Sequence, residues 1–273
     1  MKNNPLISVV TISYNAVATI EQTILSVINQ TYKNIEYIII DGGSTDGTVD
    51  IIKRYSDRIS YWISEPDKGI YDAMNKGVEK ASGYWINFMN SGDTFYNRDT
   101  INDIFKLSDY KDIDILYGDR ISVYSFGPLY QMPNQLRYMN QFFPIFHQST
   151  FIKSDIMKDM KYDVKFKISA DYNFFHKAYH KGCRFEYVNI PFSICDVEFG
   201  VSTSAKNQIA RLKEDALLRN EMIGLNFHFK MLKIKIKRYL RKCYSIFDKT
   251  YNSPQKKRER LLKSDLFKPY KVK

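Results

Sequence analysis

The run Leu6-Ile7-Ser8-Val9-Val10-Thr11-Ile12-Ser13-Tyr14-Asn15 decides the fold, because the same plan recurs behind it. A short β-branched stretch ends abruptly in polar residues, which is how a buried strand runs out into a loop. Apolar positions Ile20, Ile24, Val27 and Ile28 then recur at helical spacing within 17–30. A second apolar strand, Ile35 to Ile40, ends at Asp41-Gly42-Gly43-Ser44-Thr45-Asp46-Gly47. A helix over 47–56, a strand at 59–64, a helix near 70–81 and the run Tyr84-Trp85-Ile86-Asn87-Phe88-Met89 follow. This β-α-β-α-β-α-β order predicts an α/β fold: a mostly parallel sheet with helices on both faces. Beyond residue 100 the pattern is mixed. Strands are expected at 113–117, 148–152 and 185–195, and helices at 170–181 and 205–223.

A parallel sheet binds ligands in the crevice beyond the carboxyl ends of its strands. The polar and glycine-rich clusters fall after residues 12, 40, 64 and 89, so four distant loops are expected to converge there.

Each cluster has a chemical and a plain reading. Thr11, Ser13, Tyr14 and Asn15 can bond and cover a nucleobase, or form a strand-to-helix turn with Asn15 as its cap. Asp41, Gly42, Gly43 and Ser44 offer close backbone approach and a carboxylate for ribose hydroxyls or a base N–H; the alternative is a turn capped by Asp46. The cluster is no dinucleotide fingerprint, since the G-x-G-x-x-G spacing is absent, and no EF-hand, since Ile52 stands where a Glu is needed. Lys68 can meet a phosphate, with Asp72 and Asn75 about one helical turn apart on the same face, or the segment is a charged loop entering a helix. In Asn90-Ser91-Gly92-Asp93 the carboxylate can hold Mg²⁺ or Mn²⁺ together with substrate phosphates, although single Asp residues are common in turns.

Composition bounds the rest. The 273 residues, 44% hydrophobic and 26% charged, suffice for a buried core. Met1-Lys2-Asn3-Asn4-Pro5 is not a signal peptide and no apolar run reaches spanning length, so a cytoplasmic protein is expected. Cys183, Cys195 and Cys243 are too scattered for a disulfide framework or a zinc site. The net charge of +11 is local: 16 Lys/Arg against 3 Asp/Glu from residue 228 onward leave residues 1–227 at −2. That distribution, with no reader motif, argues against a nucleic-acid partner.

Taken together the four clusters resemble family 2 glycosyltransferases, the large GT-A group. The match runs through Ser8 to Asn15, Ile40 to Thr48, Asp67-Lys68-Gly69 and Asn75-Lys76-Gly77, in order and at family-like spacing. Phe146-His147-Gln148-Ser149-Thr150-Phe151 and Ile168-Ser169-Ala170-Asp171-Tyr172-Asn173 resemble the acceptor-side blocks of bacterial cell-surface polysaccharide members. The resemblance implies a Rossmann-like GT-A sheet and transfer from a nucleotide-diphosphate sugar to a saccharide acceptor, often lipid-linked, with inversion. It implies Thr11, Ser13, Tyr14, Asn15, Asp41, Gly42, Gly43, Ser44, Lys68, Asp72, Asn75, Ser91 and Gly92 on the donor, Asp93 on a divalent metal and Asp171 as general base. The family's metal block usually carries two aspartates, and here only Asp93 remains. His147 is given no ligand role, and His176 and His180, lacking the H-E-x-x-H pattern, are read as a solvated helix face. A sugar-phosphate nucleotidyltransferase is the alternative, but Ser13-Tyr14-Asn15-Ala16 lacks the Gly- and Arg-rich loop that class wants.

The expected division is 1–97 for the donor half, 98–225 for the acceptor half of the same domain, and 226–273 for a tail. Leu232, Ile236, Leu240, Cys243 and Phe247 recur every three or four residues, with Lys and Arg mostly off that stripe. This reads as a basic amphipathic helix resting on an anionic membrane, or packed on the body with its basic face in water. The first reading makes the protein peripheral on the inner face of the cell membrane.

Overall fold

The computed structural model describes residues 4–107, 110–198, 205–219, 232, 236 and 253–270. In chain order the donor half runs β1 (Ile7–Ser13), α1 (Ile20–Ile28), β2 (Ile35–Asp41), α2 (Thr48–Arg54), β3 (Tyr61–Ser64), α3 (Ile70–Lys80) and β4 (Trp85–Phe88). Each expected element is present, within a few residues at its ends. Then come β5 (Thr94–Phe95), α4 (Thr100–Phe105), β6 (Ile115–Tyr124), β7 (Gly127–Gln131), β8 (Thr150–Lys153), α5 (Ser154–Met160), α6 (Ala170–His180), β9 (Phe185–Asp196), α7 (Ala205–Leu218), α8 (Pro254–Leu262) and β10 (Phe267–Pro269).

One sheet carries all ten strands, ordered β10-β7-β6-β8-β4-β1-β2-β3, with β9 on β5 and β6. The donor half β4-β1-β2-β3 is parallel, as expected. The acceptor half departs from that pattern: β8 runs antiparallel to both β4 and β6, and β7 and β10 are antiparallel as well. The sheet is therefore mixed. Strand β6 extends well past the expected 113–117 because it pairs with β8, β7 and β9 in turn. Its register with β9 slips around Asp119, where Pro191, lacking an N–H, sits in the bulge.

Alternation along the strands divides the core. Val10, Ile12, Ile38, Ile40, Ile86 and Phe88 face Met74 and Val78 of α3 and Phe174 and Phe175 of α6. Ile7, Val9, Tyr37, Ile39 and Trp85 face α1, α2 and α4 through Ile24, Ile52 and Ile104. Each such fully buried side chain contributes about 1.5–3 kcal/mol. Helix α3 lies close on β1, since a Cβ on Gly77 would come within 2.4 Å of Val10 Cγ1.

The C-terminal segment adds a strand to the expected helical tail. Among its described residues α8 is a capped helix, with Pro254 in its first turn and the Ser253 hydroxyl accepting the Lys256 amide. Beyond it, β10 joins the sheet edge at β7. Lys257 pairs with Glu198 and lies over the stacked rings of Tyr124 and Phe126. Leu232 and Ile236 are helical and about half exposed; Leu240, Cys243 and Phe247 lie outside the described residues. No helix among the described residues is long and apolar enough to cross a membrane.

Candidate active site at the strand ends

Parallel pairing brings the expected loops to one edge. Ser13 is in register with Asp41, and Asp41 with Ser64. On the other side of β1, the Ser91 amide donates to the Ile12 carbonyl at 3.1 Å. The loops near 14, 41, 68 and 93 therefore share one rim of the molecule.

Asp41 is fully buried and organises this rim. Its Oδ1 accepts from the hydroxyls of Ser13 (2.8 Å) and Ser44 (2.6 Å), and its Oδ2 from the Ser64 hydroxyl (2.7 Å) and the amides of Gly43 and Ser44. Burial alone would raise this carboxyl; bonds from Ser44, Ser64 and Ser13 outweigh it and hold the group below the ordinary range. Its oxygens thereby tie groups from three loops together. Thr11 is likewise internal, its hydroxyl donating to the Met89 carbonyl at 2.7 Å beside Tyr37. The Asn75 side-chain amide exchanges two hydrogen bonds with the Tyr162 backbone. Asp72 accepts the Lys68 amide at 3.0 Å and so shapes the entry to α3.

The groups that do face outward are fewer. Tyr14 is 67% exposed. Asn15 adopts a left-handed φ of 45°, which asparagine tolerates; its amide donates to Ser44 Oγ, and its side-chain oxygen accepts the Thr45 amide. Lys68 is exposed, and its ammonium has no ion pair among the described residues. Asp67, which the sequence reading left unassigned, lies against Gly42: a Cβ there would sit 2.6 Å from Asp67 Oδ2 and 3.3 Å from Tyr14 Cδ2. Glycine at 42 is thus what lets a carboxylate from the third loop lie over the second strand end.

The fourth loop is clamped to α1. Thr23 Oγ1 accepts the Gly92 amide and donates to the Asp93 carbonyl, and Gly92 takes a φ of 99° that a larger residue would resist. Burial raises the Asp93 carboxyl, partly offset by His147, Cys195, Gln148 and Arg120 around it. A Mg²⁺ or Mn²⁺ ion asks for hard oxygens and accepts one or two protein carboxylates when phosphates complete its shell. Asp93 offers one, and Asn90 Oδ1 in the same loop is a buried oxygen with no hydrogen-bond partner. That donor set fits such an ion only if the substrate supplies most of the shell. Among the described residues no three His, Cys, Asp or Glu side chains gather as a metal cluster.

Asp171 stands at the start of α6, 16% exposed. Glu214 of α7 accepts the amides of Lys167, Ile168 and Ser169 and so fixes the turn before it. The Tyr71 hydroxyl lies 3.1 Å from Asp171 Oδ1, and burial beside that carboxylate keeps this phenol protonated. His147 Nδ1 lies 3.4 Å from Asp171 Oδ2, and its Nε2 is 3.2 Å from Asn90 Nδ2. One imidazole therefore joins the acceptor-side carboxylate to the loop that ends in Asp93. His176 and His180 point elsewhere. Five and nine residues along the helix is about 140° and 180° of rotation from Asp171, and both rings meet Asn140 Oδ1, at 3.1 and 2.7 Å.

The model of the family described as glycosyl transferase family 2 matches residues 8–181, from the first strand through Asp171 to the end of α6. The chain belongs to glycosyl transferase family 2. It is an enzyme of that family, a glycosyltransferase, and the nucleotidyltransferase alternative is not favoured. Among its relatives is an uncharacterized glycosyltransferase of Mycobacterium tuberculosis, Rv1514c, 36% identical over 193 residues spanning 65% of this chain and 70% of that one. A PGL/p-HBAD biosynthesis glycosyltransferase of Mycobacterium bovis is 28% identical over 178 residues, 62% of this chain and 68% of the relative. The fold is also that of S. aureus TarS 1-349 in complex with UDP, at a TM-score of 0.60 and 20% identity over 78% of this chain and 64% of that one. Pyrobaculum calidifontis mannosyltransferase PcManGT, solved with GDP-Man and Mn²⁺, gives 0.56 at 17% identity over 77% and 61%. The chain shares the GT-A architecture of these solved glycosyltransferases.

Proposed function

We propose that this enzyme transfers a sugar, with inversion, from a nucleotide-diphosphate donor to a hydroxyl of a saccharide acceptor in bacterial glycolipid or polysaccharide assembly. The observation that carries the reading is the placement of Asp171. It is a half-enclosed carboxylate on the acceptor side, joined through His147 to the same strand-end rim as Ser13, Tyr14, Gly42 and Lys68. The relatives named for PGL/p-HBAD biosynthesis, and neighbours crystallised with UDP and GDP-Man, support the substrate classes.

In this reading Tyr14 covers the base, Asn15, Gly43 and Ser44 line the nucleoside with backbone and hydroxyl groups, and Lys68 meets the diphosphate. Gly42 makes room for Asp67 at the same rim. The backbone of Ser91 and Gly92 sets the floor beneath the sugar. Asp93 would hold a Mg²⁺ or Mn²⁺ ion, which when bound neutralises charge on the leaving diphosphate. The acceptor oxygen bonds to the anomeric carbon as the bond from that carbon to the phosphate oxygen breaks. The hydroxyl proton passes to Asp171, and the nucleoside diphosphate departs with the electron pair. The acceptor is proposed to be lipid-linked, with the basic segment beyond residue 228 meeting an anionic cytoplasmic membrane surface.

A thermal-shift panel of uridine and guanosine diphosphates and their sugars, with and without Mn²⁺, tests the donor assignment. Saturation about 100-fold above Kd stabilises by roughly 2.7 kcal/mol. A panel in which no nucleotide moves the melting temperature overturns it.

A further inference from the structure

Asp171 does not present two equivalent oxygens. Its Oδ1 already receives the Tyr172 amide at 2.8 Å and the Tyr71 hydroxyl at 3.1 Å. The Tyr71 proton is shared with the Ile168 carbonyl at 2.8 Å, so Oδ1 carries the Tyr172 amide and part of one hydroxyl bond. Nδ1 of His147 lies 3.4 Å from Oδ2. On the far side of that ring, Asn90 Nδ2 is 3.2 Å from Nε2. Taken as the donor, this amide makes Nε2 the accepting nitrogen and puts the ring proton on Nδ1, on the side of Asp171.

We infer that His147 is a positioning residue. Its Nδ1–H faces Asp171 Oδ2 and leaves that oxygen's second lone pair open to the acceptor hydroxyl. The inference rests on the reading of Asp171 as general base. It adds which oxygen does the work and what orients it. His147 is 19% exposed in its side chain and follows Phe146, whose ring lies under the Arg120 guanidinium at 4.0 Å. Because Asn90 lies in the same loop as Asp93, the tautomer that serves the base is set from the donor side of the crevice.

Side-chain geometry makes the test selective. The amide nitrogen of an asparagine at 147 falls near the Nδ1 position, and that of a glutamine near Nε2. His147→Asn should keep turnover within a few-fold of wild type on the nucleotide sugar that gives the strongest thermal shift. His147→Ala and His147→Gln should lower kcat by about 10–100-fold, the usual cost of losing an orienting outer partner, with unchanged affinity for the nucleotide diphosphate. Equal activity of His147→Gln and wild type, or equal loss in His147→Asn and His147→Gln, overturns the inference. A ligand-free readout stands beside it: ¹⁵N spectra of the four histidine rings, with His147 assigned by its disappearance in His147→Asn. The Nδ1–H form is expected, and an Nε2–H ring at 147 sinks the proposal. Wild-type turnover in Asp171→Asn would instead remove Asp171 as the base and leave the tautomer result standing, so the two failures are distinguishable.

Discussion

The Tyr71 hydroxyl lies 3.1 Å from Oδ1 of Asp171, across a separation of 100 residues. Tyr71 comes from the helix that follows the third donor-side loop, and Asp171 opens the helix on the acceptor side. The same hydroxyl also donates to the Ile168 carbonyl at 2.8 Å. Two helices distant in sequence thus meet at Asp171.

Asp171→Asn should lower kcat by about 10²–10⁴-fold, the range expected for loss of a general base. Nucleotide affinity, measured by calorimetry, should stay within a few-fold of wild type. Near-wild-type turnover would exclude the residue from proton transfer.

Asp41 is expected to matter for stability before affinity. Asp41→Asn replaces one acceptor oxygen with a donor facing other donors, and should cost about 1.5–3 kcal/mol in urea unfolding at neutral pH. The native carboxyl is held below its ordinary range, so its contribution is present above the unfolded value of about 3.9 and fades as pH falls through the folded one. The gap between variant and wild type should narrow along that same descent.

Gly42→Ala pushes a methyl group into the space of Asp67 Oδ2. Because that oxygen ends a mobile side chain, Asp67 can swing aside and the fold should lose less than about 0.5 kcal/mol. Nucleotide binding should weaken by roughly 10-fold if Asp67 lines the donor. An unchanged Kd would assign Asp67 to loop shape alone.

Gly77→Ala is the contrasting case, since the clash is with a packed core methyl of Val10. Overpacking of this kind costs about 1–3 kcal/mol. Gly77→Ala combined with Val10→Ala should recover part of that loss relative to the sum of the single variants, a coupling that a double-mutant cycle reads directly.

Asp93 carries the opposite sign from Asp41. Burial raises its carboxyl, so its stabilising contribution is complete below about 3.9 and is lost as pH rises through the folded value. Metal binding needs the ionised form. Any Mn²⁺-dependent gain in nucleotide binding should therefore disappear on acidification at a higher pH than for an ordinary aspartate. Asp93→Asn should abolish the Mn²⁺ gain without lowering the melting temperature of the metal-free protein.

The donor half was legible because its information is local. Short apolar runs such as Val9-Val10-Thr11-Ile12, each followed by turn residues, dictate strand, loop and helix within a few residues of one another. The acceptor half was less so. Strand β6 takes its length from three partners, and β10 takes its existence from an edge that no nearby residue announces. Within the site, Tyr14, Asn15 and Lys68 are exposed. The partners of Asp41 were not legible, because Ser13, Ser44 and Ser64 come from three different loops. Asp67 needed a missing Cβ at 42 to become visible. His147 stood beside a recognisable block, but nothing in the chain near it names Asp171 or Asn90 as its neighbours.

Strand β10 changes how the far end of the chain must be handled. Its pairing with β7 seals a row of backbone donors and acceptors that an edge strand otherwise leaves open to other chains. At the other end of the basic stretch, α7 is tied by Glu214 and Asp215 to the turn before Asp171. The segment rich in lysine and arginine thus lies between two anchored elements, α7 and β10. Clipping the polypeptide before residue 253 would strip β7 bare and invite stacking between molecules, so its role in docking is better probed by reversing charges in place than by shortening the protein.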